Sequence, residues 1–352
     1  MTAPSAWNRL PKLRSEHVVA LTHRHEVPDP TWPRPLLAHG TGRSYGDVCL
    51  SDTGTLLTTP SMDRLIAFDE RLGRVRCEAG MTLGALLAFL VPRGWFLPVS
   101  PGTQRATLGG ALANDVHGKN HHAMGSFGHH VRAFELWRSD GTVLECRPEQ
   151  HAEWFQATVG GLGLTGLIRW VELQLVPVKS PWMWVQSERF PNLEAFWRLN
   201  QAAEARWPYT VAWIDCLARG SKLGRGILFS ARHADGAPKA EPTARPVLPF
   251  PLDPPFSLVN GLSLRTFNAL YFRQPLRPEG GHQHYQPYFY PLDAIDGWNK
   301  MYGRRGFYQY QCVLPPATAE AATAELLRTI AKRGEGSFLV VLKTFGTRPS
   351  LG

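Results

Sequence analysis

Cysteine is scarce in this chain, and its spacing suggests neither a disulfide framework nor a zinc site. The 352 residues contain five cysteines, an odd number, scattered along the chain without a C-x-x-C pair: Cys49, Cys77, Cys146, Cys216 and Cys312. Zinc sites and small secreted scaffolds normally show closely spaced or evenly paired cysteines. We therefore expect neither class here.

Long apolar runs and several catalytic motifs are also missing. No apolar segment approaches the roughly 20 residues that a membrane-spanning helix requires, and the start of the chain lacks the apolar core of a signal peptide. We therefore expect a cytoplasmic protein. The sequence has no G-x-S-x-G, H-E-x-x-H or P-loop pattern. Serine hydrolase, zinc protease and nucleotide-hydrolysing functions thus lack their residues.

Acidic residues are outnumbered by basic ones, 29 against 38, for a formal charge of +9. The excess is explained equally well by solubility and by an anionic partner, either a small molecule or a membrane surface. Because the Lys and Arg residues are dispersed and form no nucleic-acid-binding motif, we expect no nucleic-acid partner.

Glycine, by contrast, is abundant and concentrated in loops. One loop, HGTGRSYGD (His39–Asp47), follows a short apolar run, and a longer one spans Val99–His122. Glycines let backbone amides approach a ligand closely, and successive amides form concave anion sites. Arg43 adds a planar cation suited to phosphate. The two loops predict a diphosphate-bearing cofactor held from two sides.

A third cluster, Gly161–Gly166, matches G-x-G-x-x-G, but its surroundings differ from a dinucleotide fingerprint. That fingerprint needs a strand before the glycines and a helix after them. Here Ala152–Val159 predicts a helix and Leu167–Val178 a strand. A tight turn, or a backbone contact to the adenine end of the same cofactor, fits this order better than a Rossmann site.

The remaining pattern predicts an α+β protein whose composition changes near Pro181. In the first half we predict two hairpins and a helix capped by Thr82: Leu65–Asp69 with Arg74–Ala79, Val131–Arg138 with Thr142–Cys146, and Leu83–Leu90. In the second half we predict an antiparallel sheet with covering helices, and a loop over His233–Pro255. Its helices are Asn192–Arg206 and Ala317–Arg333, and its strands are Tyr209–Asp215, Gly226–Ala231, Ser337–Phe345 and the alternating Tyr308–Val313.

Several polar residues are candidates for chemistry. The histidines clustered between His117 and His130 suit either a metal or a cofactor pocket; because ligand spacing is poor, we favour the pocket and expect no metal. His117 follows the glycine-rich approach and Lys119 suits an anionic substrate group. Tyr45 is equally a general acid or base, a ring packed on a cofactor, or a core residue. Gln309 and Gln311 suit either hydroxyl recognition or a solvated face.

These motifs resemble a known family. HGTGRSYGD, then PGTQRATLGGALANDVHGKNHHAMGSFGHHV, then GGLGLTG, are similar to flavoproteins of the vanillyl-alcohol-oxidase type, and most of all to the decaprenylphosphoryl-ribose 2'-oxidase family. The runs PLDAIDGWNKMYGRRGFYQYQ and SFLVVLKTFG resemble its substrate domain. The resemblance implies a two-subdomain FAD-binding domain over residues 1–178 and a substrate domain over residues 179–352.

The resemblance also assigns residues. Non-covalent FAD would be held by Ala38, Gly40, Thr41, Gly42, Arg43, Ser44, Tyr45, Gly46, Asp47, Gly102, Thr107, Leu108, Gly109, Gly110, Asn114, Asp115, Val116, His117 and Ile168. Tyr45, His117 and Lys119 would serve catalysis. The substrate pocket would include Lys119, Trp213, Phe289, Gln309, Gln311 and Lys343.

The reaction implied is oxidation of the 2-hydroxyl of a polyprenyl-phospho-pentose to the keto sugar, with FAD as acceptor. A short-chain reductase would then complete an epimerisation to the arabinose form, used in the bacterial cell wall. The basic surface and the lipid-linked substrate imply peripheral contact with the inner face of the membrane.

The sequence also departs from the family. Members continue beyond the last matched strand and supply a lysine near the flavin, so we expect an incomplete substrate domain with weak FAD binding and turnover. Phe289 and Val211 stand where a pocket tyrosine and serine are common. Two other functions stay open: an aldonolactone or sugar-alcohol oxidase of the same superfamily, and a non-catalytic remnant.

Overall fold

The computed structural model describes residues 4–13, 15–236 and 247–351. Its strands are β1 (His17–Ala20), β2 (Leu36–His39), β3 (Thr55–Thr58), β4 (Leu65–Asp69), β5 (Arg74–Glu78), β6 (Trp95–Phe96), β7 (Val131–Trp137), β8 (Val143–Cys146), β9 (Leu167–Gln174), β10 (Val176–Pro177), β11 (Trp182–Phe190), β12 (Tyr209–Ile214), β13 (Gly226–His233), β14 (Leu248–Pro249), β15 (Gly281–His284), β16 (Ile295–Asp296) and β17 (Val341–Leu342). Its α-helices are α1 (Leu83–Leu90), α2 (Leu108–Ala113), α3 (His121–Met124), α4 (Ala152–Thr158), α5 (Leu193–Glu204), α6 (Gly261–Phe272), α7 (Tyr285–Phe289) and α8 (Ala319–Arg333).

Two sheets organise the first half of the chain. A small parallel sheet has the order β1-β3-β2, and a five-stranded antiparallel sheet has the order β4-β5-β9-β7-β8. β2 ends at His39 and therefore delivers the first glycine loop from a sheet edge. As predicted, Thr82 caps α1, accepting a hydrogen bond from Ala85 N at 3.2 Å, and Gly94 in the left-handed conformation follows the helix.

The second half is built on a further antiparallel sheet of order β15-β11-β13-β12-β17. α5 and α8 cover one face, burying Phe196 and Leu327 against Ala212 and Leu228. On the opposite face, Tyr209 of β12 joins the core of the first half. The predicted α+β class, with helices over an antiparallel sheet, is confirmed.

The main core continues across the predicted domain boundary. Leucines of α1 and the glycine-rich α2 share one cluster with Met183 of β11, Ala231 of β13 and Phe289 of α7. The division at residues 178 and 179 stays a prediction, because a shared core does not mark where one unit ends.

Two predicted strands differ from the structure: one is shorter than predicted and the other does not form. Ser337–Phe345 was predicted to be one long strand, yet only β17 forms, pairing Val341 and Leu342 with β12 at two positions. Tyr308–Val313 forms no strand at all. Tyr308 and Tyr310 are 88% and 75% exposed, so alternation there reflects no buried face. Backbone groups form a strand only where a neighbouring strand accepts them.

Four α-helices of the described residues were not predicted: α2, α3, α6 and α7, of which α6 is the longest. α6 (Gly261–Phe272) begins at a capping box in which Asn260 accepts hydrogen bonds from the amides of Leu262 and Ser263, and Ser263 bonds back to Asn260 N. The predicted loop His233–Pro255 contains the last residue of β13 and all of β14, and its residues 237–246 lie outside the described residues.

Candidate functional site

The first glycine loop packs directly on the second. A Cβ atom added to Gly40 would lie 2.7 Å from Thr107 Oγ1, so only glycine allows this approach. Thr107 Oγ1 also accepts a hydrogen bond from Gly110 N at 3.2 Å and caps α2. Thr41 Oγ1 donates to Arg105 O at 2.6 Å. The two predicted cofactor loops are therefore adjacent in space.

A cleft of about 70 Å³, partly open to solvent, lies between these loops. Predicted cofactor residues that line it are Ala38, Gly40, Ser44, Thr107, Gly109, Gly110, Asn114 and Ile168. The third glycine cluster lines it too, through Leu162, Gly163 and Gly166. The predicted helix-before, strand-after order of that cluster is confirmed by α4 and β9. Residues of all three glycine segments therefore border one cleft.

The other predicted cofactor residues of the first loop lie near lining residues in sequence but do not themselves line the cleft. Arg43 stacks on the Trp7 ring, with 4.1 Å from guanidinium carbon to ring centroid, and Gly42 adopts a φ of +63°. Gly46 N donates to Asn8 Oδ1 at 3.0 Å. Asp47 is exposed at the end of the loop.

In the second loop, Gly102 has open space beside it, and Leu108 and Val116 pack in or against the core. Asp115, with a φ of +38°, accepts a hydrogen bond from Gly128 N at 2.8 Å. Their assignment to a cofactor stays a prediction.

His117 is the centre of a second group of polar side chains. Its Nδ1 lies 3.1 Å from Lys343 Nζ and its Nε2 lies 3.3 Å from Gln311 Nε2. Phe345 packs edge-on against the ring at 4.9 Å between centroids. Burial, with the charge of Lys343 next, lowers the pKa of His117 to about 4. His117 is therefore a neutral imidazole at physiological pH.

Two lysines of this group have depressed basicity. Lys119 Nζ donates to Tyr288 O and lies 4.2 Å above the Tyr288 ring centroid. Burial, followed by the charge of Lys343, lowers the pKa of Lys119 to about 7. Burial alone lowers the pKa of Lys343 to about 8. Because neither lysine is paired with a carboxylate among the described residues, the pair favours an incoming anion.

The remaining predicted substrate residues are only partly brought to this group. Gln309 Nε2 donates to Gln311 Oε1 at 3.4 Å, which continues the polar chain from His117. Phe289 is buried, 5.8 Å from Lys119 Nζ to its ring centroid. Trp213 is instead fixed by a hydrogen bond from its Nε1 to Phe338 O at 2.9 Å and by the Tyr271 ring.

Tyr45 packs its ring against Phe307, with 5.8 Å between centroids. Burial, with a smaller contribution from Tyr302, raises the pKa of its hydroxyl. A raised pKa makes Tyr45 a weaker acid, so packing is the role that the structure supports most directly.

Sequence reasoning missed two side chains that hold the loops. Asp293 accepts hydrogen bonds from Thr103 Oγ1 at 2.7 Å and from Gln104 N at 2.8 Å. Asn8 bridges Gly46 and Phe307. Both residues make their contacts across more than thirty positions of the chain, so no local sequence pattern indicates them. Gly163, by contrast, is indicated by the glycine cluster in which it lies.

The described residues contain neither a metal-binding cluster nor a membrane-spanning helix. No group of three or more His, Cys, Asp or Glu side chains there is arranged to hold a metal ion. Within the same residues, every helix is too short or too polar to cross a membrane.

Comparison with known proteins identifies the family. The FAD binding domain family matches residues 31–147. Decaprenylphosphoryl-beta-D-ribose oxidase of Mycolicibacterium smegmatis is 34% identical over 323 residues, which is 89% of this chain and 70% of that protein. The chain belongs to the decaprenylphosphoryl-beta-D-ribose oxidase family. It is an FAD-dependent oxidoreductase, as the sequence predicted.

Of two further relatives, one has no characterised function and the other matches a smaller part of the chain. An uncharacterised protein of Streptomyces coelicolor is 35% identical over 281 residues, covering 76% of this chain and 75% of that protein. L-gulonolactone oxidase of Mus musculus is 34% identical over 140 residues, covering 39% of this chain and 31% of that protein. The similarity to L-gulonolactone oxidase is thus confined to part of the chain.

The residues of the cleft fit FAD. Gly40 and Gly109 line the cleft, and a Cβ atom on either would meet Thr107 or Ala79, so the segments that form the cleft pack closely on one another. Arg43 Nε is buried with no hydrogen-bond partner among the described residues. An unsatisfied buried donor is costly, and a phosphate oxygen of the cofactor is a suitable acceptor.

Proposed function

We propose that this oxidoreductase oxidises the 2-hydroxyl of a polyprenyl-phospho-pentose to the keto sugar. The observation that carries the proposal is the Lys119 and Lys343 pair beside His117 and Gln311. Two ammonium groups without carboxylate partners suit a phosphate, and the glutamine amides suit sugar hydroxyls. The relative named decaprenylphosphoryl-beta-D-ribose oxidase supports the same substrate class.

FAD would lie in the cleft between the two glycine loops, held without a covalent bond. When bound, it supplies the two-electron acceptor for the alcohol. Arg43 would meet the diphosphate, and Ile168 and Gly163 would border the adenine half. His117, neutral and held by Lys343, would contact the ring system as a hydrogen-bonding group rather than as a cation.

Two partners follow from this proposal. The keto sugar needs a reductase to complete an epimerisation, and a short-chain reductase fits that reaction. A polyprenyl tail resides in a membrane, so the basic chain, with a formal charge of +9, would work at the anionic inner face. Each of these is an expectation that the substrate chemistry supports.

The test compares two substrates on one flavin-loaded protein. We expect a short-chain polyprenylphosphoryl ribose to bleach the bound flavin without oxygen, and L-gulonolactone to leave it oxidised. Lys343→Met should weaken the response to the phospho-sugar, whereas Lys332→Met, at the exposed end of α8, should not. Bleaching by the lactone that is independent of Lys343 would favour the aldonolactone oxidase, and bleaching by neither would favour a non-catalytic protein.

A further inference from the structure

Asn8 joins two segments that lie far apart along the chain, one at Gly46 and one at Phe307. Its side chain is buried, with 2% exposed. Asn8 Oδ1 accepts a hydrogen bond from Gly46 N at 3.0 Å, and Asn8 Nδ2 donates to Phe307 O at 2.9 Å. Phe307 N donates in turn to Asn8 O at 3.2 Å. The side-chain amide of Asn8 therefore hydrogen-bonds to both segments.

The two segments belong to different parts of the site. Gly46 lies in the first glycine loop, which borders the cofactor cleft. Phe307 lies two residues before Gln309, in a segment that has no strand pairing of its own. Because sheet hydrogen bonds do not fix that segment, its position depends on contacts such as those with Asn8.

Neighbouring contacts follow the same path. Trp7 N donates to Ser44 O at 2.9 Å, and Asn299 Nδ2 donates to Trp7 O at 2.7 Å. The rings of Tyr45 and Phe307 pack against each other at 5.8 Å. The chain around Asn8 is thus placed between the glycine loop and the segment that leads to Gln309 and Gln311.

We propose that Asn8 is a positioning residue that couples the first glycine loop to residues 307–311, the glutamine segment of the substrate site. Its carbonyl oxygen holds the glycine loop, and its amide nitrogen holds the glutamine segment. The cofactor half of this inference rests on the FAD assignment; the substrate half rests on the proposed function.

Matched substitutions separate the two contacts. Asn8→Asp, measured at a pH where the carboxyl is ionised, keeps an acceptor for Gly46 N but has no donor for Phe307 O. Asn8→Ala loses both. Asn192→Ala removes the amide that caps α5, where Asn192 Oδ1 accepts from Ala195 N at 3.0 Å, and serves as a destabilising control far from both loops.

The first measurement is amide hydrogen exchange on the protein without flavin. For Asn8→Asp we expect faster exchange in peptides covering residues 305–311 and unchanged exchange in peptides covering residues 44–47. For Asn8→Ala both regions should exchange faster, and for Asn192→Ala neither should. Equal acceleration of both regions by Asn8→Asp and Asn8→Ala would overturn the division of roles.

The second measurement separates FAD binding from substrate binding. FAD fluorescence quenching should give an unchanged Kd for Asn8→Asp and a Kd at least severalfold weaker for Asn8→Ala. The apparent Kd of polyprenylphosphoryl ribose, read from the flavin absorption spectrum, should weaken for both variants. An unchanged FAD Kd in Asn8→Ala would overturn the coupling. A wild-type protein that binds FAD but not the phospho-sugar would contradict the proposed function, and the exchange and FAD results would still decide the role of Asn8.

Discussion

At the residue scale, electrostatics decide what the polar group around His117 does. Lys343 lies 3.1 Å from the imidazole, so a proton on His117 would bring two cations together. Burial and that cation keep the ring neutral, with a pKa of about 4. Among the described residues, the positive charge of this group therefore comes from Lys119 and Lys343.

This arrangement predicts how anion binding depends on pH. A lysine is charged below its pKa and neutral above it, and the pKa values of Lys119 and Lys343 are about 7 and about 8. We expect the affinity for a polyprenyl phosphodiester, whose own charge is constant in this range, to fall as pH rises from about 6 to about 9. Calorimetric titration across that range measures it.

Lys343→Met tests the same prediction at one residue. Loss of one ammonium contact should weaken phosphodiester binding by roughly tenfold or more, since a charged hydrogen bond contributes about 1.5–3 kcal/mol. The substitution also removes a charge that lowers the pKa of both Lys119 and His117, so both values should rise, His117 being followed by NMR. A pH profile that matches the wild type would contradict the argument, and Lys332→Met is the control.

At the element scale, the sequence predicted those pieces whose cause is local. Thr82 at the start of α1 and the Asp140 turn between β7 and β8 are short-range signals, and both elements formed as predicted. Ser337–Phe345 has strong strand propensity, yet β17 pairs with β12 at only two positions, because propensity alone does not fix how far two strands run side by side. α6 was missed although Asn260 and Ser263 form a capping box; it lies beyond the predicted loop, which ends at Pro255.

The site followed the same rule. The glycine clusters indicated the cleft, because the close approach of backbone to a neighbouring segment requires glycine, as at Gly40 and Gly109. Asn8 and Asp293 act through contacts far away along the chain, and a single polar residue carries no sign of such a partner. Gln311 lies beside His117, and its role in the site stays a prediction, whereas the strand predicted around it does not form.

The loop before α2 gives a prediction at this scale. Asp293, in a 3-10 turn over Pro291–Ala294, holds Thr103 and Gln104, and this loop leads to Thr107. Asp293→Ala should free the loop, speed amide exchange over residues 102–107 and weaken FAD binding about tenfold, as expected from loss of charged hydrogen bonds. Asp235→Ala, which breaks an exposed ion pair with Lys179, should change neither. Unaltered exchange over residues 102–107 would show that Asp293 does not support the loop.

At the scale of the whole molecule, the site and the core both join the two halves of the chain. His117 and Lys119 come from the first half, Gln311 and Lys343 from the second. Beneath them, Phe289 packs on Phe96 at 5.4 Å between ring centroids, within the core that also contains α1. Such continuity ties the geometry of the site to the stability of the whole fold.

A shared core predicts cooperative unfolding. Chains of this length often unfold domain by domain, but here separation of the halves would expose the aromatic face around Phe289. We expect one calorimetric transition whose van't Hoff and calorimetric enthalpies agree. Phe289→Ala, at the junction, and Phe196→Ala, in the separate core under α5, should each cost about 3–5 kcal/mol and lower that same transition. If Phe196→Ala instead produced a second transition at lower temperature while the first stayed in place, the second half would be an independent unit, and the residues on its side of the site would be positioned without help from the cofactor half.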